Sequence, residues 1–391
     1  MKANWSITVI LLASLVAGCS KEIDRGYPDK QEPAPVAIDY NFALAADSGQ
    51  LALDKQFWSA TEHYYLQNNG GHTGFNYWWN AHAVDVLVDG YNRTGNAAYI
   101  TRLDQLLDGM YKKNGNKWVN NFYDDMEWLV ISLLRAYDAT GTESYKTLAE
   151  TLWTEIKKGW TGLAGGGIMW EKNSPGSKNA CSNGPAIIIA ARLYKLNGNA
   201  DDLEWAKKIY NWQRQYLINP ANGTVYDGTG VTNGVITPNT NVSMVLTYNQ
   251  GTWMGGALEL FRVTGNQEYL RNALRTANYV VNDLTKFSPN GVLKGENTGD
   301  GGLFKGIFIR YLTRMIVDGN LDEETKNSYL QYMERNGKSL FAKGIRKPEY
   351  IFDADWRKQP ASATLDCSVQ LSGVMLFEAL CELEKKGMIK K

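Results

Sequence analysis

Histidine is nearly missing from this chain, with only His63, His72 and His82 among 391 residues. Neither an HExxH spacing nor a cluster of cysteines completes a ligand set around them, so no metal site is expected. Net charge is missing as well: 41 basic residues face 41 acidic ones, which removes the electrostatic footprint of a nucleic-acid binder. No GxSxG elbow is present for a nucleophilic serine. Gly165-Gly166-Gly167 has no strand before it and no βαβ context, which excludes a dinucleotide fingerprint. Cysteine is scarce: beyond Cys19 there are three, Cys181, Cys367 and Cys381, an odd number that excludes a fully paired disulfide framework. On one continuous helix Cys367 and Cys381 stand about 21 Å apart and cannot bond each other, while a bond from Cys181 to either stays open.

The N-terminal apolar run covers only residues 7–17, follows Lys2, and is too short for a retained membrane span. It reads as an export signal. Leu15-Val16-Ala17-Gly18-Cys19 resembles the bacterial lipobox, in which cleavage before the cysteine exposes it for acylation; the rival is a secreted protein with a cysteine beside its cleavage site. The expected organisation is a signal peptide over residues 1–18, a tether over 19–38 carrying Pro28, Pro33 and Pro35, and one folded domain over 39–391. Ser20-Lys21-Glu22-Ile23-Asp24 resembles the acidic surface-export signal of Bacteroidetes lipoproteins. Together these imply an outer-membrane protein held by the lipid on Cys19 alone, facing the periplasm or the cell surface, and monomeric.

What the chain has in quantity is aromatic surface, 13 Trp and 22 Tyr, rings that pack in cores and also stack on sugar faces. It also has a rhythm. Arg93-Thr94-Gly95-Asn96, Ala139-Thr140-Gly141-Thr142, Leu196-Asn197-Gly198-Asn199, Val263-Thr264-Gly265-Asn266 and Val317-Asp318-Gly319-Asn320 each place a glycine where a helix end needs a left-handed residue. A polar residue follows to cap the next helix. This is the period of a helical hairpin repeated six times. Apolar spacing predicts outer helices near 53–68, 97–112, 143–158, 201–217, 267–284 and 322–342, each with one charged face. Inner helices near 80–93, 125–139, 184–196, 250–263, 302–317 and 366–386 are apolar on most of their circumference. The fold class expected is therefore all-α, an (α/α)6 barrel.

Connections leaving the inner helices are tight, whereas those entering them are long: 159–183, 218–249, 285–301 and 343–365. All long loops then lie at one end, over the inner-helix N-termini, where backbone N–H groups and dipoles favour anions. Asp124 and Asp125 open the second inner helix at that end, between Tyr123 and Trp128. They read either as ordinary first-turn acids or as the two carboxyl groups that glycoside hydrolysis requires. Two close carboxylates repel, so one is kept protonated. Adjacent Cα atoms about 3.8 Å apart favour the carboxyl separation of about 5 Å that retaining enzymes use. Trp78 and Trp79, before the first inner helix, are candidates for the cleft floor. Trp170, after three glycines, reads as a sugar platform or as a buried ring beside a hinge. Asn183, Tyr248, Asn249 and Gln250 read as hydroxyl readers or as caps and loop braces. Asp300 and Lys305 read best as an ion pair.

Tyr123-Asp124-Asp125-Met126-Glu127-Trp128 resembles the catalytic signature of family 76 glycoside hydrolases, (α/α)6-barrel enzymes acting on α-1,6-linked mannan. Gly165-Gly166-Gly167-Ile168-Met169-Trp170, Cys181-Ser182-Asn183-Gly184-Pro185 and Thr247-Tyr248-Asn249-Gln250-Gly251 fit the same family in order, over residues from about 40 to 385. The resemblance implies an endo-acting, retaining enzyme with Asp124 as nucleophile and Asp125 as acid/base, α-mannan or manno-oligosaccharide as its partner, and no cofactor. Two rivals remain at this stage. One is a non-catalytic glycan-binding lipoprotein. The other is a different (α/α)6 activity, on a uronate or by epimerisation, which needs cations or a placed histidine.

Overall fold

The first helix is where the architecture departs from its hydrophobic pattern. A computed structural model describes residues 39–232 and 235–390; the signal-peptide and tether segments and Cys19 lie outside the described residues. Helix α1 spans Phe42–Phe57 rather than 53–68, started by Asn41, whose side chain accepts the Leu44 N–H. Its buried stripe runs from Phe42 through Ala45, Ala46, Gly49, Gln50 and Ala52 to Leu53 and Phe57. The middle of that stripe is small or polar and gives little apolar signal. After Phe57 the chain reverses through a hairpin of β1 (Trp58–Ser59) and β2 (Tyr64–Tyr65).

The remaining outer helices are α3 (Ala98–Lys113), α5 (Glu143–Lys157), α7 (Ala200–Tyr216), α9 (Gln267–Asn282) and α11 (Glu323–Lys343). Helix α9 shows why they sit outside: Leu270, Ala273, Ala277, Val280 and Val281 form one buried stripe, and the rest is polar. The inner helices are α2 (Tyr77–Thr94), α4 (Tyr123–Thr140), α6 (Gly184–Asn197), α8 (Thr247–Thr264), α10 (Gly301–Asp318) and α12 (Cys367–Lys385). Each touches the next, and α12 touches α2, so the ring closes into an (α/α)6 barrel. Gly95, Gly141, Gly198 and Gly265 end their helices with φ near 70°, the conformation their spacing demanded. The fifth turn differs: Gly319 is right-handed and Asn320 takes the positive φ.

Inner helices pack nearly backbone to backbone. A Cβ on Gly251 would lie 2.9 Å from the Phe308 Cα, and one on Gly306 would lie 2.7 Å from the Ser372 Cα. At the end where the inner helices finish, charges interlock. Arg135 and Arg310 each bind both Asp85 and Asp89, and the two guanidinium groups hold the Asp89 carboxyl down to about 2. Arg192 pairs with Glu259. Glu378 of α12 accepts from Arg93 of α2 at 2.8 Å and from Gln50 of α1 at 3.0 Å, which fastens the last inner helix to the first hairpin. Cations suit this end because helix C-termini carry partial negative charge.

The long connections all lie at the other end and are not structureless. Lys178–Asn179 (β3), Gly228–Thr232 (β4) and Val235–Pro238 (β5) form one antiparallel ribbon, and Ile345–Arg346 (β6) pairs with Ile351–Phe352 (β7). Cys181, Cys367 and Cys381 are free thiols, so the disulfide left open for Cys181 is not formed.

The close approach at Gly251 sets a first prediction. Although alanine is the better helix former by about 1 kcal/mol, Gly251→Ala is expected to lower stability by about 2 kcal/mol, because its methyl meets backbone rather than a movable side chain. Urea unfolding followed by ellipticity measures this, and an unchanged or higher midpoint would contradict the packing described.

Candidate active site

The inner-helix N-termini converge on an open cleft of about 610 Å³, and four carboxylates reach it: Asp124, Asp125, Asp227 and Asp300. Among the described residues, no lysine, arginine or histidine lines it. Such a concentration of like charge is tolerated only where helix N-termini and donor groups offset it.

Asp124 and Asp125 occupy the second and third positions of α4. The loop before α6 is laced onto this start: the Tyr123 N–H donates to the Trp170 carbonyl at 2.9 Å, and the Trp170 N–H donates to the Ser177 carbonyl at 2.9 Å. That lacing sets the Trp170 ring beside Phe122, centroids 5.0 Å apart, with its Nε1–H donating to the Asp124 Oδ2 at 3.3 Å. Burial pushes the Asp124 carboxyl up to about 7, against hydrogen bonds from the Cys181 thiol, the Trp170 indole and the helix's own first amides. Asp125 lacks those donors. Burial, then the Asp124 charge, then the Asp300 charge push it well above the carboxylate range. Asp124 is therefore the first of the two to ionise, and Asp125 holds its proton longer.

Trp78 and Tyr248 line the cleft. Tyr248 stacks on Phe304 with centroids 4.1 Å apart, and Trp78 lies 6.3 Å from the same ring. Trp128 is buried but its ring reaches the floor, backed by His82 at 4.7 Å. Both His82 nitrogens are buried without partners, and burial drops the imidazole to about 3, so it stays neutral.

Several residues read as sugar contacts are turned elsewhere. Trp79 is buried, its indole donating to the Asp300 Oδ1 at 2.9 Å. Tyr123 packs behind α4 under Gly159 and Lys172. Asn183 exchanges hydrogen bonds with the backbone of Ile168 and Asn179, and Gln250 with Val225 and Leu246. Asn249 donates to the Asp227 Oδ1 at 3.0 Å. These three amides are braces, because each is bonded to a loop rather than turned to the cleft. The triple glycine is likewise structural: a Cβ on Gly165 would meet the Tyr216 hydroxyl, one on Gly166 the Trp160 ring and one on Gly167 the Trp212 ring.

The Asp300 and Lys305 ion pair is not formed. Asp300 instead accepts both indoles, Trp78 at 3.1 Å and Trp79 at 2.9 Å. Lys305 is buried over the Trp356 ring and donates to the Ala354 carbonyl. Five residues apart on a helix, the two side chains point about 140° away from each other. Asp227, Cys181, Phe122 and Phe304 line the cleft and were not singled out from the sequence. Asp227, an acid between Tyr226 and Gly228 in the longest loop, carried the clearest missed signal.

A cleft with aromatic walls and two adjacent carboxyl groups of unequal proton affinity, set in a helical barrel, is the anatomy of a glycoside hydrolase. The chain belongs to glycosyl hydrolase family 76, whose model matches residues 46–391. The α-1,6-mannanase of Salegentibacter sp. HEL1_6 is 42% identical, superposes with a TM-score of 0.84, and is covered over 100% of its length by 88% of this chain. A variant of that mannanase described as inactive, with two consecutive aspartates changed to asparagine, is known in complex with α-1,6-mannotriose and is 41% identical to this chain. A Listeria innocua protein is 31% identical with a TM-score of 0.79, over 88% of this chain and 98% of that one. The mannan endo-1,6-alpha-mannosidase DCW1 of Saccharomyces cerevisiae is 27% identical over 288 residues, 66% of this chain. This chain spans about 61% of that yeast relative's length.

Raised carboxyl affinities have a cost that can be measured. A folded-state value above the unfolded one means the native protein binds more protons, so stability falls as pH rises from about 4 toward the folded values. Asp125→Asn is therefore expected to raise stability at pH 8, on the order of 1–2 kcal/mol, and to change it little at pH 4. Thermal melts across that range decide it; a gain independent of pH would contradict the assignment.

Proposed function

We propose that this protein is an endo-acting α-1,6-mannanase that hydrolyses with retention of anomeric configuration. The observation that carries the reading is the unequal pair of Asp124 and Asp125 in a cation-free, aromatic-walled cleft. The family membership and the activity named for the Salegentibacter relative support it.

In the first step the Asp124 carboxylate attacks the anomeric carbon while Asp125 gives its proton to the glycosidic oxygen; the C1–O bond breaks and a glycosyl ester forms. Loss of that proton leaves Asp125 ionised. It then takes a proton from water, the water oxygen attacks C1, and Asp124 leaves as carboxylate. Each residue ends as it began. The hydrogen bonds from Trp170, Cys181 and the first α4 amides favour the charged form of Asp124 that the first step consumes. The acidic lining of the cleft favours the positive charge that develops at C1 in an oxocarbenium-like transition state.

The absence of lysine and arginine from the lining argues against a uronate substrate. Trp78, Tyr248 and Trp170 line the same open cleft as the acid pair, and several aromatic surfaces in one cleft support binding of more than one sugar along a chain. We further propose anchoring by a lipid on Cys19 at the outer membrane and a monomeric state, both resting on the sequence. Among the described residues, no helix is long and apolar enough to cross a membrane.

With debranched α-1,6-mannan, protein lacking residues 1–19 is expected to release manno-oligosaccharides whose newly formed reducing ends are first seen by NMR as the α anomer. Asp124→Ala and Asp125→Asn should each lower kcat/KM by at least about 10³-fold with the fold intact by ellipticity. Appearance of the β anomer first would remove the retaining assignment, and undiminished turnover in Asp124→Ala would remove the mechanism. A second outcome follows from the charge of the cleft. A manno-oligosaccharide bearing a phosphate near the cleaved bond should be hydrolysed at least about tenfold more slowly than its neutral counterpart, with the difference shrinking in high salt. Equal rates on the two substrates would contradict that charge selection.

A further inference from the structure

Asp300 and Asp227 are the two carboxylates of the cleft that neither the nucleophile nor the acid/base role uses; Asp227 is taken up by the Asn249 amide, whereas the surroundings of Asp300 are unusual. It stands at the start of α10, exposed to the cleft, and takes no part in any ion pair found among the described residues. Two consecutive indoles of α2, Trp78 and Trp79, both donate to the same oxygen, Oδ1, at 3.1 and 2.9 Å. Two donors on one atom fix the carboxylate in position while leaving its charge in place. The neighbouring backbone is fixed too, since the Gly299 N–H donates to the Asp366 Oδ2 at 2.7 Å.

The groups that face Asp125 come from three elements. Asp124 is on its own helix. Asp300 lines the same cleft from the start of α10. Tyr77 faces it from α2, as a phenol whose hydroxyl is committed to the Trp118 carbonyl at 2.9 Å. No cation stands among them. We propose that Asp300 is a positioning residue whose charge, clamped by the Trp78 and Trp79 indoles, keeps the proton on Asp125 until the leaving oxygen takes it. The inference rests on the mannanase reading for its purpose but not for its test.

The burial of Asp125 and the charge of Asp124 act the same way, so Asp300 supplies an increment rather than the whole effect. Its value lies in timing. When Asp124 becomes esterified its charge is lost, and with it one source of Asp125's proton affinity. Asp300 forms no bond to the sugar in either step, so its influence on Asp125 outlasts the esterification. The affinity of Asp125 then falls to a level set by burial and Asp300, low enough to let the proton go yet high enough for Asp125 to take one from water.

Asp300→Asn is the decisive variant because the amide oxygen still accepts both indole donors and only the charge is removed. Carbon-13 carboxyl NMR of the full-length protein, with the Asp125 signal assigned by its loss in Asp125→Asn, should show the Asp125 titration moved to lower pH by about half a unit to one unit in Asp300→Asn. Asp300→Glu should restore most of the difference, and 1 M NaCl should shrink it. Trp79→Phe, which frees the carboxylate without removing it, should move the titration in the same direction by less. The alkaline limb of kcat/KM on α-1,6-mannan is expected to follow the titration. An Asp125 titration that coincides in wild type and Asp300→Asn overturns the proposal, as does a loss of activity at every pH without a titration shift. The titration needs no substrate, so failure of the mannanase reading would show separately, as absent turnover with the NMR difference intact.

Discussion

Six helix N-termini aimed at one bowl impose an electrostatic condition that organises the rest of the molecule. Peptide dipoles place partial positive charge at that mouth, and the chain answers with four carboxylates and no cation. At the opposite end the dipoles leave partial negative charge, and there Arg93, Arg135, Arg192 and Arg310 gather, each bound to an acid on a neighbouring helix. The segregation allows a balanced chain of 41 basic and 41 acidic residues to hold an acidic working face. It also accounts for the position of the chemistry, since a carboxylate in the bowl can be partly desolvated without a counter-ion that would quench its reactivity.

Within that field the two adjacent aspartates are made different by small donors rather than by distance. Asp124 is touched by a thiol, an indole and helix amides; Asp125 meets other acids. The Trp170 indole reaches Asp124 only because the loop before α6 is tied to the start of α4 by backbone hydrogen bonds. The buried amides of Asn183 and Gln250 hold the adjoining loop segments in place. Site chemistry and loop architecture are thus one construction, in which residues that never touch a sugar decide where those facing the cleft stand.

How much of this was legible beforehand depended on whether local physics was decisive. The turn glycines were readable because a left-handed helix end tolerates little else, and four of five took that conformation; at the fifth Asn320 substituted for Gly319. The inner helices were readable from their all-round apolar character. Helix α1 was not, because the middle of its packed face is Ala45, Ala46, Gly49 and Gln50, small or polar residues that fit a tight contact without looking hydrophobic. Asp124 and Asp125 could be placed at the bowl because a helix start and a long loop fixed their location. The direction of the amides could not, since Asn249 and Gln250 are adjacent and similar, and only the course of residues 218–249 decides what each one meets. Asp300 and Lys305 show the same limit: proximity in sequence suggested a pair, while helical geometry sent one to two indoles and the other to a carbonyl.

The fastening of Glu378 to Arg93 and Gln50 bears on how such a ring comes apart. Five neighbouring pairs of inner helices are tied through an intervening outer helix by continuous chain. The sixth, α12 against α2, has no such thread and is shut by packing, by the Glu378 knot and by hydrogen bonds that join residues 365–370 to the first hairpin. Loosening along this seam would peel the last helix from the first hairpin, while the acid-bearing α4, held between α2 and α6, would keep both its neighbours.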